Sequence, residues 1–162
     1  RHSTPETTSC GRVLDAVSAV LGVCYERTYE GEPAMKLEAA ATKGRDVLKL
    51  EPLIENNVLD TTPLVHEIFN RRNAHAVGDL AFSAQSYLAH GLAQLAVNQA
   101  KRLDVDVMGF SGGVAYNEHI TQTIRRVVEE SGLKFIVHVL VPAGDGGISL
   151  GQAVATAWQM EH

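Results

Sequence analysis

The segment VDVMGFSGGVAYN (residues 105–117) decides the fold, because an apolar strand runs into a turn with two adjacent glycines and then into a helix. The same order returns in FIVHVLVPAGDGGISLGQ (residues 135–152), which predicts a buried strand over 135–140 and a final helix over 148–158. Between the two segments, apolar residues at helical spacing predict a helix that ends near Gly132. This alternation predicts a small, mainly parallel sheet with right-handed crossovers. Ligands of such sheets bind at the carboxyl ends of the strands.

Helical periodicity dominates the chain upstream of this unit. Residues 75–103 carry the longest periodic pattern and predict a long, well-buried helix. Shorter helices are expected after a cap at Thr8 or Ser9, from Pro33 to Gly44, and from a cap at Thr61-Thr62-Pro63. Residues 45–60 predict only a short strand over 47–50 and a turn at Asn56-Asn57. The fold class expected from these patterns is a helix-rich α/β protein.

Composition excludes several classes of protein. The 162 residues are 45% apolar and 20% charged, which suits one compact domain or a large piece of one. The formal net charge of −5 argues against binding to nucleic acid or to an anionic membrane, since both favour a basic surface. No apolar run approaches the roughly 18 residues of a membrane span. Cys10 and Cys24 match neither a redox pair nor a zinc ribbon, so two reduced, packed thiols of a cytoplasmic protein are expected.

Both ends of the sequence suggest a trimmed piece of a longer protein. The opening residues RHSTP (1–5) read as the middle of a chain. Glu161-His162 is expected to be the remnant of a purification tag, so the natural segment would end at residue 160.

The first glycine-bearing turn, residues 110–117, is a candidate phosphate site. Gly112 and Gly113 let the backbone approach a ligand, and the helix that follows would add its positive N-terminal end. The turn matches no standard nucleotide-binding motif, so a plain tight turn is the other interpretation. Asn117 is then either the cap of the following helix or a side chain that faces a ligand.

The second turn, residues 142–147, carries Asp145 between glycines. An unshielded carboxylate of this kind can bind a metal ion that bridges phosphates, or it can simply cap the last helix. Both turns follow strands that are expected to be neighbours in the sheet. Phosphate-binding amides and a metal-binding carboxylate would then open onto one crevice, which favours a nucleotide site.

Four motifs, in this order, resemble the C-terminal part of HypF-type hydrogenase-maturation carbamoyltransferases. They are TSCGR with DAV (residues 8–12 and 15–17), YEGEPAMKLE (29–38), SGGV through Asn117, and Pro142 with DGGISLGQA (145–153). The resemblance covers nearly the whole chain and is weakest over residues 42–75. It implies that residues 1–160 are the C-terminal lobe of a TsaD-like carbamoyltransferase domain, which is half of an actin/Hsp70-like (ribonuclease H-like, ASKHA) fold.

The resemblance also implies a reaction. The family is expected to use ATP and carbamoyl phosphate to form carbamoyl-adenylate, and to transfer the carbamoyl group to the C-terminal cysteine of a HypE-type partner. That group serves the maturation of [NiFe]-hydrogenase.

By the same motif match, five residues are expected to contact the nucleotide and one to bind a divalent metal, which the sequence does not identify as Zn, Fe or Mg. Gly112 and Gly113 would approach the phosphate, Asn117 would face the adenine, and Asp15 and Glu32 would bond the ribose hydroxyls. Asp145 would be the metal ligand. No catalytic residue is predicted.

The sequence departs from the family in its histidines. The relatives complete the metal site with a pair spaced HxxxH, and none of the seven histidines here forms such a pair. A single carboxylate is a poor metal site, so this segment alone is expected to be inactive. One alternative is a TsaD-like tRNA or small-molecule O-carbamoyl transferase. The other is a non-catalytic nucleotide-binding or docking fragment. A homodimer could cover the open face of such a half-domain.

Four further residues have competing interpretations. His119 is expected to face solvent in a first helical turn rather than to touch a phosphate, and His138 to be a packed, hydrogen-bonded core residue. Trp158 is expected in the core. Arg12 either forms a salt bridge with Asp15 or contacts the carbamoyl or phosphate group.

Overall fold

The computed structural model describes residues 7–161, which form six α-helices, four short strands and two 310 turns. In chain order these are α1 (Cys10–Val20), α2 (Glu32–Ala41), β1 (Leu53–Glu55), β2 (Val58–Asp60), α3 (Thr62–Arg71), α4 (Val77–Leu103), β3 (Val107–Phe110), the 310 turn Gly113–Tyr116, α5 (Glu118–Glu130), β4 (Lys134–Val137), the 310 turn Asp145–Gly147 and α6 (Ile148–Glu161). The predictions made for residues 1–5 and for His162 lie outside this range, and the boundary at residue 160 stays a prediction.

The two strands that carry the glycine turns are neighbours, as predicted. β3 and β4 pair in parallel, with Val107 opposite Lys134 and Phe110 opposite Val137, and α5 connects them. The predicted strand over 135–140 was too long, because β4 loses its partner where β3 ends at Phe110. Leu140, three residues beyond the last pair, is 96% exposed.

The long helix α4 is the centre of the core, as its periodicity predicted. Leu80, Ala84 and Leu88 are buried on it, and α2, α5 and α1 pack around it. The inner face of the parallel pair, which includes Phe135, packs against the same core. Cys24 is buried and Cys10 partly buried, and both are free thiols. Burial raises the pKa of Cys10 to about 11, so this thiol stays protonated at neutral pH.

Residues 45–60 differ from the prediction. The strand expected over 47–50 does not form, because the N–H groups of Val47 and Leu48 donate to Oγ of Ser83 on α4, at 2.9 and 3.2 Å. The turn at Asn56-Asn57 is confirmed, with φ of 51° and 62°. It joins β1 and β2 into an antiparallel hairpin that the sequence did not predict, since each strand has only three residues.

One side of the described fold is apolar and open. No residue of α6 is buried, and Trp158 is 64% exposed, so the prediction that it lies in the core was wrong. On the outer face of the parallel pair, Val107 and Ile136 are 42% and 46% exposed. Parallel sheets are normally covered on both faces. Between residues 7 and 161, no second layer covers this face of the sheet, and none of the residues of α6 is buried. No helix between residues 7 and 161 is long and apolar enough to cross a membrane.

Candidate nucleotide site

The two glycine-bearing turns lie side by side at the carboxyl ends of β3 and β4. The N–H of Gly112 donates to the carbonyl of Ala143 at 2.8 Å. The N–H of Gly144 donates to the Tyr116 hydroxyl at 3.0 Å. Each turn therefore contributes one donor and one acceptor to a seam between them. The predicted juxtaposition of residues 110–117 and 142–147 is confirmed.

The first turn depends on the backbone of Gly112. Its φ of 104° with ψ of 174° lies in a region that only glycine adopts without strain. The same conformation aims the Gly112 N–H at Ala143, so this amide is engaged within the protein. Gly113 begins the 310 turn and is exposed, with nothing within 4 Å of the position that a Cβ would occupy. Gly113 is therefore the part of this turn that a ligand can approach.

The beginning of α5 is capped from inside the protein, and the predicted approach of a phosphate to this helix end stays a prediction. Asn117 Oδ1 accepts from the N–H of Ile120 at 2.9 Å, which confirms the cap interpretation of Asn117. The N–H of Glu118 donates to a carboxylate oxygen of Glu38, on α2, at 2.8 Å. Asn117 is 6% exposed. Its proposed contact with adenine stays a prediction, and in this arrangement its side chain points into the fold.

The second turn is joined to the first through His138 and Ser111. Ser111 Oγ donates to the Ala143 carbonyl at 3.1 Å and lies 2.9 Å from His138 Nε2. His138 was expected in the core and is exposed, because β4 ends one residue earlier, at Val137. The predicted hydrogen bonding of His138 is confirmed. Its burial was wrong.

Asp145 lies at the exposed tip of the second turn and offers one carboxylate for a metal ion. Within residues 7–161 no group of three or more His, Cys, Asp or Glu side chains is close enough to hold a metal. Stable divalent metal sites need several protein ligands or shared phosphates. The described residues therefore do not make a metal site by themselves, and the role of Asp145 stays a prediction.

Asp15 lies on α1, the helix that packs against the turn Gly113–Tyr116. One carboxylate oxygen of Asp15 is 2.9 Å from the Arg12 guanidinium, which confirms the salt-bridge interpretation of Arg12. The other oxygen, Oδ1, is buried and has no hydrogen-bond partner among the described residues. A buried acceptor without a donor is costly. A ligand hydroxyl would satisfy it, which fits the predicted ribose contact.

Glu32, the other predicted ribose ligand, is already hydrogen-bonded within the protein. Its carboxylate accepts from the N–H and the hydroxyl of Thr28, at 2.5 and 2.9 Å, and pairs with Lys36 at 2.7 Å. The side chain is only 7% exposed. The hydrogen bond from Lys36, followed by the one from the Thr28 backbone, lowers the pKa of Glu32 to about 2. The structure thus gives Glu32 a stabilising role at the start of α2, and its ribose contact stays a prediction.

This pKa shift predicts a pH dependence of stability. The folded pKa of about 2 lies below the ordinary value of 4.5, so the unfolded chain binds a proton first as the pH falls. The stabilisation by Glu32 is complete above pH 4.5 and is lost towards pH 2. We expect Glu32→Gln to have a lower urea midpoint of unfolding than wild type at pH 7. The difference between the two midpoints should become smaller as the pH falls from 4.5 to 2. A difference in urea midpoint that stays constant across this pH range would contradict the lowered pKa of Glu32.

His119 turns inward instead of facing solvent, so that prediction was wrong. Its ring packs on Phe82 with centroids 4.1 Å apart, and Nε2 lies 2.9 Å from the hydroxyl of Ser86. Burial, reinforced by the nearby charges of His90 and Arg126, lowers the pKa of His119. The neutral ring therefore helps to fix the first turn of α5 against α4.

Two polar residues that contact the site were missed from the sequence. Gln85, on α4, is fully buried and hydrogen-bonded to Asn117 at 3.1 Å. Glu38 holds the first amide of α5, as described above. The sequence could have indicated Gln85, because it is a polar residue within the apolar pattern of the long helix. No sequence pattern could have indicated Glu38, since acidic residues are common on short helices.

Comparison with known proteins identifies the family. The family described as "Carbamoyltransferase, Kae1-like Domain, second subdomain" matches residues 1–152. The chain belongs to this carbamoyltransferase family. It is 44% identical over 155 residues to the probable carbamoyltransferase HypF of Methanocaldococcus jannaschii, a match that covers 93% of this chain and 20% of that protein.

Solved structures agree with this assignment. The crystal structure of HypF from T. kodakarensis superposes with a TM-score of 0.85 at 45% identity, covering 94% of this chain and 20% of that one. Full-length HypF in its phosphate- and nucleotide-bound form superposes with a TM-score of 0.83 at 28% identity, covering 95% and 21%. The predicted helix-rich α/β fold is confirmed, and the matching family describes it as a Kae1-like domain. The chain spans about a fifth of the length of the HypF proteins that it matches.

Proposed function

We propose that this chain is the nucleotide-holding part of a HypF-type carbamoyltransferase. The observation that carries the proposal is the seam between the two glycine-bearing turns, at the carboxyl ends of adjacent parallel strands. This is the edge at which α/β sheets bind ligands. The similarity to a HypF structure with bound phosphate and nucleotide supports nucleotide binding by a protein of this kind.

The proposed roles follow the positions of the side chains. Gly113 is exposed at the first turn and would let the backbone approach a phosphate. Asp15, whose oxygen Oδ1 has no partner among residues 7–161, lies on the helix that packs against that turn and would accept a hydrogen bond from a ribose hydroxyl. Gly112, Asn117 and Glu32 would support the site without contacting the ligand, because their polar groups already form hydrogen bonds within the protein. A bound metal would neutralise phosphate charge, and Asp145 would supply one of its ligands.

We propose that the complete protein uses ATP and carbamoyl phosphate, through carbamoyl-adenylate, to carbamoylate the C-terminal cysteine thiol of a HypE-type partner. The partner's thiolate would attack the carbonyl carbon and form a carbon–sulfur bond, with AMP as the leaving group. The residues of this chain would bind and orient the adenylate for that attack. The chain taken alone lacks most of a metal site in its described part, so we expect it to have no transferase activity.

The test uses the complete protein that contains this segment, with ATP, carbamoyl phosphate and a HypE-type partner. Mass spectrometry should find the partner's C-terminal cysteine heavier by one carbamoyl group, and only when both small substrates are present. A partner with that cysteine changed to serine is the control. An unmodified partner after complete consumption of ATP would refute the proposal.

The second candidate is a transferase whose acceptor is tRNA or the hydroxyl of a small molecule. The formal net charge of −5 weighs against tRNA, which favours a basic surface. The same reaction, run with tRNA in place of the protein partner, separates the two candidates. Carbamoyl transfer to nucleoside and none to cysteine would replace the first proposal by the second.

A further inference from the structure

Gln85 occupies an unusual position for an amide side chain. It lies in the middle of α4, is fully buried, and has apolar neighbours along the same helix, among them Ala84 and Leu88. Burying an amide is unfavourable unless its polar atoms are hydrogen-bonded. The bonds that Gln85 makes therefore explain why it is tolerated there.

The orientation of these bonds is fixed by a chain of donors and acceptors. The N–H of Ile120 can only donate, so Asn117 presents Oδ1 to it, at 2.9 Å. The Nδ2 group of Asn117 must then face Gln85 and donate to Oε1, at 3.1 Å. The Nε2 group of Gln85 is left to donate to the carbonyl of Leu37 on α2, at 3.5 Å. Each amide has one orientation that satisfies its neighbours.

This relay connects the first glycine-bearing turn of the proposed nucleotide site to α2. Asn117 ends the first glycine-bearing turn and begins α5, while Leu37 belongs to α2, the helix that Glu32 begins. Glu38, the next residue of α2, holds the Glu118 amide from the same side. The start of α5 is thus clamped to α2 at two points, one buried and one near the surface.

We propose that Gln85 is a positioning residue that holds the first glycine-bearing turn, through Asn117, in the place against α4 and α2 that nucleotide binding requires. The inference rests on the proposed function. It adds that a buried amide on α4, which has no contact with ligand, controls nucleotide affinity. Its effect should appear in the affinity for nucleotide, or in KM for ATP, more than in kcat.

Two substitutions in the complete protein test this role. Gln85→Met keeps the volume and removes both hydrogen bonds, and we expect ATP to bind about tenfold more weakly at pH 6 and at pH 8. Gln85→Glu keeps the acceptor for Asn117, and its protonated form can still donate to the carbonyl of Leu37. Burial raises the pKa of a carboxyl group, so the protonated form should prevail at the lower pH. We expect near wild-type affinity at pH 6 and about tenfold weaker binding at pH 8.

The matched control is Gln94→Met, the same substitution at an exposed position of the same helix, which should leave ATP affinity unchanged. All titrations are made well below the melting temperature of each variant at each pH. A residue that only stabilises the fold would lower the melting temperature and leave the affinity unchanged. Wild-type affinity in a folded Gln85→Met variant, or the absence of a pH effect specific to Gln85→Glu, would overturn the inference.

Amide hydrogen exchange of the same proteins provides a test without nucleotide. Gln85→Met should speed exchange by about tenfold over residues 113–121, and leave α3 unchanged. If wild type failed to bind ATP, the proposed function would fall, and this measurement would still decide the positioning role. Unchanged exchange over residues 113–121 would refute that role.

Discussion

Gly44→Ala is expected to lower the free energy of unfolding by about 3 kcal/mol, the upper part of the usual range for overpacking. A Cβ at Gly44 would lie 2.2 Å from the carbonyl oxygen of Gly78 and 3.0 Å from the Cβ of Phe82. The atoms that it meets at Gly78 are backbone, so no side-chain rotation relieves the overlap. The chain leaving α2 would have to move away from the start of α4.

The contact is reciprocal, which is why the effect should be large. A Cβ at Gly78 would lie 2.7 Å from the carbonyl oxygen of Ala40, at the end of α2. Two backbone segments therefore approach each other through a pair of glycines. Moving them apart would also disturb Asp79, which accepts a hydrogen bond from the N–H of Arg45 at 3.0 Å.

Denaturant titrations of wild type and Gly44→Ala would measure the difference. Gly151→Ala is the matched control, because it is the same substitution inside a helix with nothing within 4 Å of the new Cβ. It should change stability by less than about 1 kcal/mol, in the stabilising direction if at all. If Gly44→Ala and Gly151→Ala had equal effects, the close approach would not exist in solution.

Regular features of the fold were predictable because they depend on local patterns. The long helix around Leu88 follows from its apolar periodicity, and the parallel pair from two strand–turn–helix units in succession. The error at Trp158 has a physical origin. An apolar helix predicts that something will cover it, and the described part of this chain does not contain the covering layer.

The sequence predicted which segments form the candidate site, but not which of their polar groups are already hydrogen-bonded within the protein. Glycines and an aspartate after two strands predicted that the two turns lie at one edge of the sheet, which the structure confirms. Which amides remain available depends on long-range contacts, such as Glu38 with Glu118, eighty residues apart. Periodicity carries no information on such pairs. Asn117 illustrates the limit, since a cap and a ligand-facing side chain look identical in a sequence.

Asp145→Asn should reduce carbamoyl transfer by the complete protein at least about 100-fold. Substitutions that only support a metal ligand reduce metal affinity or activity by 10- to 100-fold, and a ligand itself should matter at least as much. Asparagine keeps the shape of aspartate and removes its charge, so the turn should persist. That turn is held by the bond from the Gly147 N–H to the Gly144 carbonyl, at 2.9 Å, and by the bond from Gly144 to Tyr116.

Glu130→Gln is the control, because it removes one exposed carboxylate at the end of α5 and should leave turnover unchanged. Metal content of the purified proteins gives a readout besides activity, and Asp145→Asn should retain less metal than Glu130→Gln. Wild-type turnover with unchanged metal content in Asp145→Asn would mean that the exposed carboxylate is only a surface residue of the turn. Lost turnover with unchanged metal content would assign Asp145 to the substrate instead. The pair of measurements therefore decides between a metal ligand, a substrate contact and a plain turn residue.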